Sequence, residues 1–270
     1  MNTSITPANG IGGINFTPVL AANALFLTTY TILLLMHLLI AVRFWSTYGY
    51  SIGMTGGVLL ELLGYVAKVQ LSHNRSNKNA YIMYIIGLTL GPTFLSSSLY
   101  LGISTLQRHD PSAPFARISP NAFATLFILG DFLCLCLIGC GGSLAAIYAW
   151  NPIGVNLMIV GLALQVLFTM VFCLILGILY YRVRRGTFMH RARFFMLGSA
   201  LAAACLFIRS CWRAAELSGG FNGRLASEEG LFFALDSIPI AIMCILLTGL
   251  HPKIWFGDNY CIRKACNSFI

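Results

Sequence analysis

Glu61, Asp131, Arg209, Arg213, Glu216 and Asp236 all stand within, or at the edge of, long apolar stretches, and Gln165 stands in another. An ionised side chain costs at least about 2.5 kcal/mol in hydrocarbon unless it is paired or hydrated. A carboxylate kept at that depth can bind a cation or carry a proton, and a guanidinium can neutralise a carboxylate or fork onto an anion. The spacing says which of these groups share a face. Arg209, Arg213 and Glu216 recur at i, i+4 and i+7, and Glu61, Tyr65 and Lys68 repeat that spacing. Each stripe must turn away from lipid, so Arg209 or Arg213 is predicted to pair with Asp131 or Asp236; the spacing leaves the choice open. A single pair would suffice to lock two helices together. A set spread over four helices, with an amide on a fifth, fits a wet pathway better, and the candidate pathway is Glu61, Tyr65, Asp131, Gln165, Arg209, Arg213, Glu216 and Asp236. Lys68 and Glu216 are expected nearer the span ends, where snorkelling or water lowers the cost.

The elements that must position these groups are membrane helices. Crossing a hydrocarbon core takes roughly 20 apolar residues of helix. Such stretches run over 17–42, 52–71, 80–105, 122–147, 153–181, 194–215 and 231–250. The chain is 58% hydrophobic and 9% charged, with a mean hydropathy of +0.80, which excludes an ordinary soluble domain. The runs are continuous and lack period-2 alternation, so helices are predicted and not a barrel. The expected fold is all-α, a seven-helix membrane bundle over 17–250, with an extracellular segment over 1–16 and a cytoplasmic tail over 251–270.

Basic residues near span ends stay on the cytoplasmic side. With the N-terminus outside, the inner segments hold Arg43, Arg108, Arg117, Arg182, Arg184, Arg185, Arg191, Arg193, Lys253, Arg263 and Lys264, whereas the outer ones hold only Arg75, Lys78 and Arg224. That asymmetry predicts N-terminus out and C-terminus in. Glycan acceptors are then expected at Asn2 and Asn74, each in an N-x-S/T sequon on the outer side; a third sequon, at Asn15, lies too close to the membrane for use. The net charge of +9 is explained by inner loops beside anionic lipid, so nucleic acid is not an expected partner. Residues 1–16 carry no Lys or Arg, and the first apolar run is too long for a cleaved signal, so the first span is expected to be retained. Seven of the nine cysteines fall inside spans as small packing residues, while Cys261 and Cys266 lie in the basic tail. The basic 182–193 connection reads as a topology signal, with any protein partner there unknown.

Chemistry beyond the charged set leaves little trace. Pro92 should bend the third span, with Ser96 and Tyr100 presenting hydroxyls on one face below it. Gly87 and Gly91 form a GxxxG suited to close helix contact. The Gly139, Gly141, Gly142 cluster lacks the third glycine of a dinucleotide fingerprint. His37 is the only histidine clearly inside a span, so no metal centre, cofactor or catalytic residue is expected, and no Walker A or G-x-S-x-G sequence occurs.

The residues in order resemble a family. E-x-x-G-Y-x-x-K at Glu61, Gly64, Tyr65 and Lys68, then G-P-x-F with a later tyrosine at Gly91, Pro92, Phe94 and Tyr100, then Asp131 followed by Gly141 and Gly142, are similar to the fungal RTA-like group. That group is named for resistance to aminocholesterol and is also known as lipid-translocating exporters. Gly161, Leu162 and Gln165, then Arg209, Arg213 and Glu216, then Glu229, Asp236 and Pro239 complete the likeness, which runs from the first span through His251 and Pro252. The chain departs from the group at Ile138, where glutamine is common, at Lys68, where arginine is usual, and at Phe233, where tyrosine is common.

The resemblance implies a seven-span plasma-membrane protein that moves amphipathic lipids, such as sphingoid long-chain bases or sterol-like amines, or helps the cell tolerate them. Membrane lipids and an amphipathic lipid substrate are the implied partners. A cationic amphiphile would suit an acidic site at Glu61, Asp131 or Asp236, with its tail along apolar helix faces. The competing class is a heptahelical lipid or stress sensor, in which the charged set holds a switch and the cytoplasmic loops meet a partner.

Overall fold

The computed structural model describes residues 19–43, 48–74, 77–109, 119–147, 153–185, 190–218, 228–252 and 254–255. The expectations for residues 1–16 with Asn2, for Asn15, for most of the 109–119 loop and for Cys261 and Cys266 lie outside the described residues. So do the middle of the 182–193 loop and nearly all of the tail. Within the described residues there are seven long helices and no strand: α1 (Leu20–Arg43), α2 (Tyr48–His73), α3 (Lys78–His109), α4 (Pro120–Ile147), α5 (Ile153–Arg185), α6 (His190–Ser218) and α7 (Glu229–Gly249). All seven are long and apolar enough to cross a membrane.

These boundaries match the apolar runs to within a few residues, because run length in lipid and helix length are one quantity. At α2 the helix starts ahead of the expected Ile52, at Tyr48. Polar contacts explain the extension: the Tyr50 hydroxyl donates to the Leu247 carbonyl at 2.6 Å, and its ring meets His251 edge-on at 5.2 Å. At the same end the Thr248 hydroxyl donates to the Cys244 carbonyl at 2.6 Å, which leaves its oxygen to accept from His37 Nε2 at 2.7 Å. At the opposite end the Val19 amide donates to Glu229 at 2.8 Å. α1 and α7 therefore run parallel, side by side.

Burial follows the helical period. α2 buries Tyr50, Met54, Gly57, Glu61, Gly64, Lys68 and Leu71, each three or four residues apart, so the stripe with the charges is the stripe turned inward. The opposite faces present apolar side chains to lipid, as at Leu35, Leu39 and Val42 of α1 and Leu126, Leu129 and Leu133 of α4. α3 occupies the middle of the bundle, touching α2, α4, α6 and α7. Its approach to α2 is very close: a Cβ on Gly87 would lie 2.7 Å from the Gly64 nitrogen and the Leu60 carbonyl oxygen. The GxxxG of α3 is thus a packing device, as its spacing suggests.

α7 departs from regularity over Phe233–Ser237, one turn of π-helix in which the Ile238 amide reaches back to the Phe233 carbonyl. The interruption has a local cause in Pro239, whose ring would collide with the carbonyl four residues earlier in a regular helix. The widened turn carries Asp236. Single π turns inside α-helices are frequent at functional sites.

Candidate functional site

The buried carboxylates and guanidinium groups among the candidate residues fall into two groups, both reached by α3. The first is built on Arg209 of α6, whose side chain is 4% exposed. Its Nε lies 3.1 Å from Asp236 Oδ1 on the π turn of α7, and its Nη2 donates to the Leu88 carbonyl of α3. That carbonyl is available for a covalent reason. Residue 92 is proline and has no N–H, so the oxygen four residues before it loses its helical donor. Pro92 and Arg209 are thus two halves of one arrangement: the break in α3 supplies an acceptor, and the guanidinium fork fills it while neutralising Asp236.

Glu61 of α2 is buried beside this pair, 2% exposed, packed so tightly on α3 that a Cβ on Gly91 would lie 2.8 Å from its Oε1. The positive charges of Arg209 and Arg213 act on it, yet Oε1 has no hydrogen-bond donor among the described residues. Arg213 is bound to Glu216 of its own helix at 2.8 Å, an i, i+3 pair that is half-buried and joins no second helix. Tyr65 stacks between Phe26 and Tyr30 of α1, with ring centroids 5.3 Å from each.

Lys68 differs from its expected placement. It does not snorkel: it is 2% exposed, with Nζ 3.5 Å from the Phe232 ring centroid, 5.1 Å from Phe233 and 5.5 Å from Tyr84. Three aromatic faces replace water around the ammonium. The adjacent Phe232 and Phe233 were the available sequence signal, but only the π turn of α7 aims both rings at α2. Replacing Phe232 with leucine is expected to lower stability by about 2 kcal/mol, the range for a desolvated cation–π contact. In a Lys68→Met background the same change should cost clearly less, which thermal melting of the four purified proteins reads as a double-mutant cycle. Equal costs in both backgrounds would mean that the rings contribute only packing.

The second group centres on Asp131 of α4, 3% exposed. Its Oδ2 accepts from Ser96 Oγ at 2.6 Å and Tyr100 Oη at 2.9 Å, the two α3 hydroxyls expected on one face below Pro92. Phe127 and Phe172 lie 5.3 and 4.6 Å from the Tyr100 ring, and Phe123 closes the cluster. No Arg or Lys among the described residues forms an ion pair with Asp131, so of the pairings that spacing left open for Arg209 and Arg213, Arg209 takes Asp236 while Arg213 meets Glu216. Among the described residues the Gln165 side chain joins neither group by a hydrogen bond; it is half-buried on α5 and accepts through its backbone carbonyl from Thr169. Among the described residues no cluster of His, Cys, Asp or Glu could hold a metal ion.

The chain matches the family model described as RTA1 like protein over residues 54–259, which takes in Glu61, Asp131, Arg209 and Asp236. Among similar proteins are the sphingoid long-chain base transporter RSB1 of Saccharomyces cerevisiae, 26% identical over 88% of this chain and 73% of the relative, and Protein RTM1 of the same yeast, 25% identical over 83% and 73%. Protoporphyrin uptake protein 1, also from that yeast, is 26% identical over 78% of this chain and 71% of its own length. No solved structure matches the chain. With its seven apolar helices and a family model spanning most of its length, the chain is an integral membrane protein that belongs to the RTA1-like family.

Proposed function

We propose that this protein is a lipid-related membrane transporter that carries amphipathic lipids with a cationic head, of the sphingoid-base kind, between leaflets of the plasma membrane, and that it works with its N-terminus outside. The observation that carries the reading is the interior polar surface: carboxylates on α2, α4 and α7, guanidinium groups on α6 and hydroxyls on α3 lie at membrane depth within a shell of lipid-facing apolar residues. A lipid head crossing bare hydrocarbon loses its hydration, and a protein interior offering charges and donors offsets that loss while the tail stays against apolar helix faces. The sphingoid long-chain base transporter among the relatives supports the substrate class. The excess of Lys and Arg in the loops assigned inside supports the orientation.

The expected result in liposomes is that purified protein speeds leaflet crossing of a labelled sphingoid base over protein-free vesicles. Double replacement of Glu61 and Asp236 by their amides should slow it. Folded, correctly oriented protein that leaves the crossing rate at the empty-vesicle level, with and without an imposed pH gradient, would overturn translocation in favour of a heptahelical sensor.

A further inference from the structure

Counting charge by position separates Asp131 from the other buried carboxylates. Around Arg209 opposite charges meet: Lys68, Arg209 and Arg213 stand among Glu61, Glu216, Glu229 and Asp236, and Glu229 also accepts from the Val19 amide. Asp131 stands outside that set, with two neutral hydroxyls as its hydrogen-bond partners. Both hydroxyls serve Oδ2. Oδ1 is buried and accepts no hydrogen bond from the described residues. A carboxylate that deep is held at high cost unless a cation or a further donor meets it.

We propose that Asp131 is the recognition point for the primary ammonium of a long-chain amino alcohol, which donates an N–H to Oδ1 while Ser96 and Tyr100 hold Oδ2. The inference rests on the lipid-translocation reading and narrows it to one of the three acidic positions. Three features converge on this class of ligand. The open oxygen can take a further donor, and a carboxylate without a counter-charge is complemented by a cation. The ring of Tyr100, whose hydroxyl holds the carboxylate, packs with Phe127 and Phe172, and an aromatic surrounding of this kind suits an ammonium. Asp131 also lies near the middle of its span, Asn121–Leu144, the depth at which transporters commonly hold their cargo. By contrast Asp236 is already neutralised by Arg209.

The test compares binding of a long-chain sphingoid base with binding of its N-acetylated analogue, which keeps the tail and hydroxyls and loses the charge, to purified protein in nanodiscs. The wild-type protein should prefer the amine by about tenfold or more, the worth of a hydrogen bond to a charged group. Asp131→Asn keeps the shape and can still meet Ser96 and Tyr100, and it should reduce the preference to within about twofold. Tyr100→Phe, which keeps the charge, should retain the preference and weaken both ligands together. If Asp131→Asn does not fold, Asp131→Ser carries the same expectation, and loss of folded protein in both leaves the Tyr100→Phe result decisive: an amine preference abolished while the carboxylate is intact overturns the proposal. So does an unchanged preference in Asp131→Asn, or a preference lost on Asp236→Asn with Asp131 intact. The two readings fail separately. Asp131-dependent amine binding without accelerated crossing refutes translocation alone, and accelerated crossing with amine preference intact in Asp131→Asn refutes this site alone.

Discussion

Arg209→Met is expected to destabilise the bundle by about 3–5 kcal/mol, the range for removing one partner of a buried ion pair. Two groups lose their partner at once. Asp236 is left as a charge 2% exposed, and the Leu88 carbonyl, already without a helical donor because residue 92 is proline, loses its side-chain donor. The two losses can be restored one at a time. Asp236→Asn removes the stranded charge and should recover a substantial part of the stability of Arg209→Met, although alone it strands the guanidinium and destabilises. Pro92→Ala supplies an N–H to Leu88 and should stabilise the Arg209→Met protein more than the wild type, where the carbonyl is already served. Melting temperatures of the single and double variants in detergent check this. Arg209→Met melts unchanged by either second substitution would show that the contacts contribute little energy.

Gly87→Leu should be as damaging, for a steric reason. The nearest atoms to a Cβ at residue 87 are backbone: Gly64 N and Leu60 O at 2.7 Å and Gly64 Cα at 2.9 Å. Backbone inside two packed helices cannot step aside as a side chain can, so α2 and α3 must separate, at a cost of about 3 kcal/mol or more. Separation there also loosens Glu61 from Gly91 one turn further along. Gly177→Ala, at a lipid-facing position of α5 with open space around it, is the control and should be neutral or stabilising by up to about 1 kcal/mol through helix propensity. Yield of monodisperse protein after detergent extraction separates the two. Wild-type yield and melting for Gly87→Leu would mean that the helices meet elsewhere than at this contact.

How far each feature was legible depended on whether one helix or several decide it. Seven spans, their approximate ends and the inward face of the second and sixth could be read directly, because hydrocarbon thickness sets the length and the cost of exposing a charge to lipid sets the rotation. Glu61, Asp131, Arg209 and Asp236 proved to be buried for that reason. Partners were another matter. Arg209 could meet either aspartate by spacing, and only the crossing of α6 with α7 at the π turn selects Asp236. Lys68 looked able to snorkel because its position near a span end says nothing of Phe232, Phe233 and Tyr84 arriving from two other helices. Gln165 looked like part of the set because polarity on an apolar helix suggests a partner, but among the described residues its side chain joins neither group by a hydrogen bond.

What the residues determined by themselves is therefore everything that follows from one helix in contact with lipid: an all-helical membrane protein, seven spans, polar stripes facing inward and the residues that belong to the interior. Even the acceptor for Arg209 was written locally, since a proline at 92 must free the carbonyl at 88 in any helix that continues through it. The tertiary structure alone decided which inward charge meets which, that the buried cations gather around Arg209 with four of the carboxylates and that Asp131 is left with two hydroxyls and no ion-pair partner among the described residues. The physical reason is range. Burial and backbone satisfaction are settled within a few turns of one helix, whereas a salt bridge needs its atoms within about 4 Å, a distance fixed by how side chains on separate helices interlock.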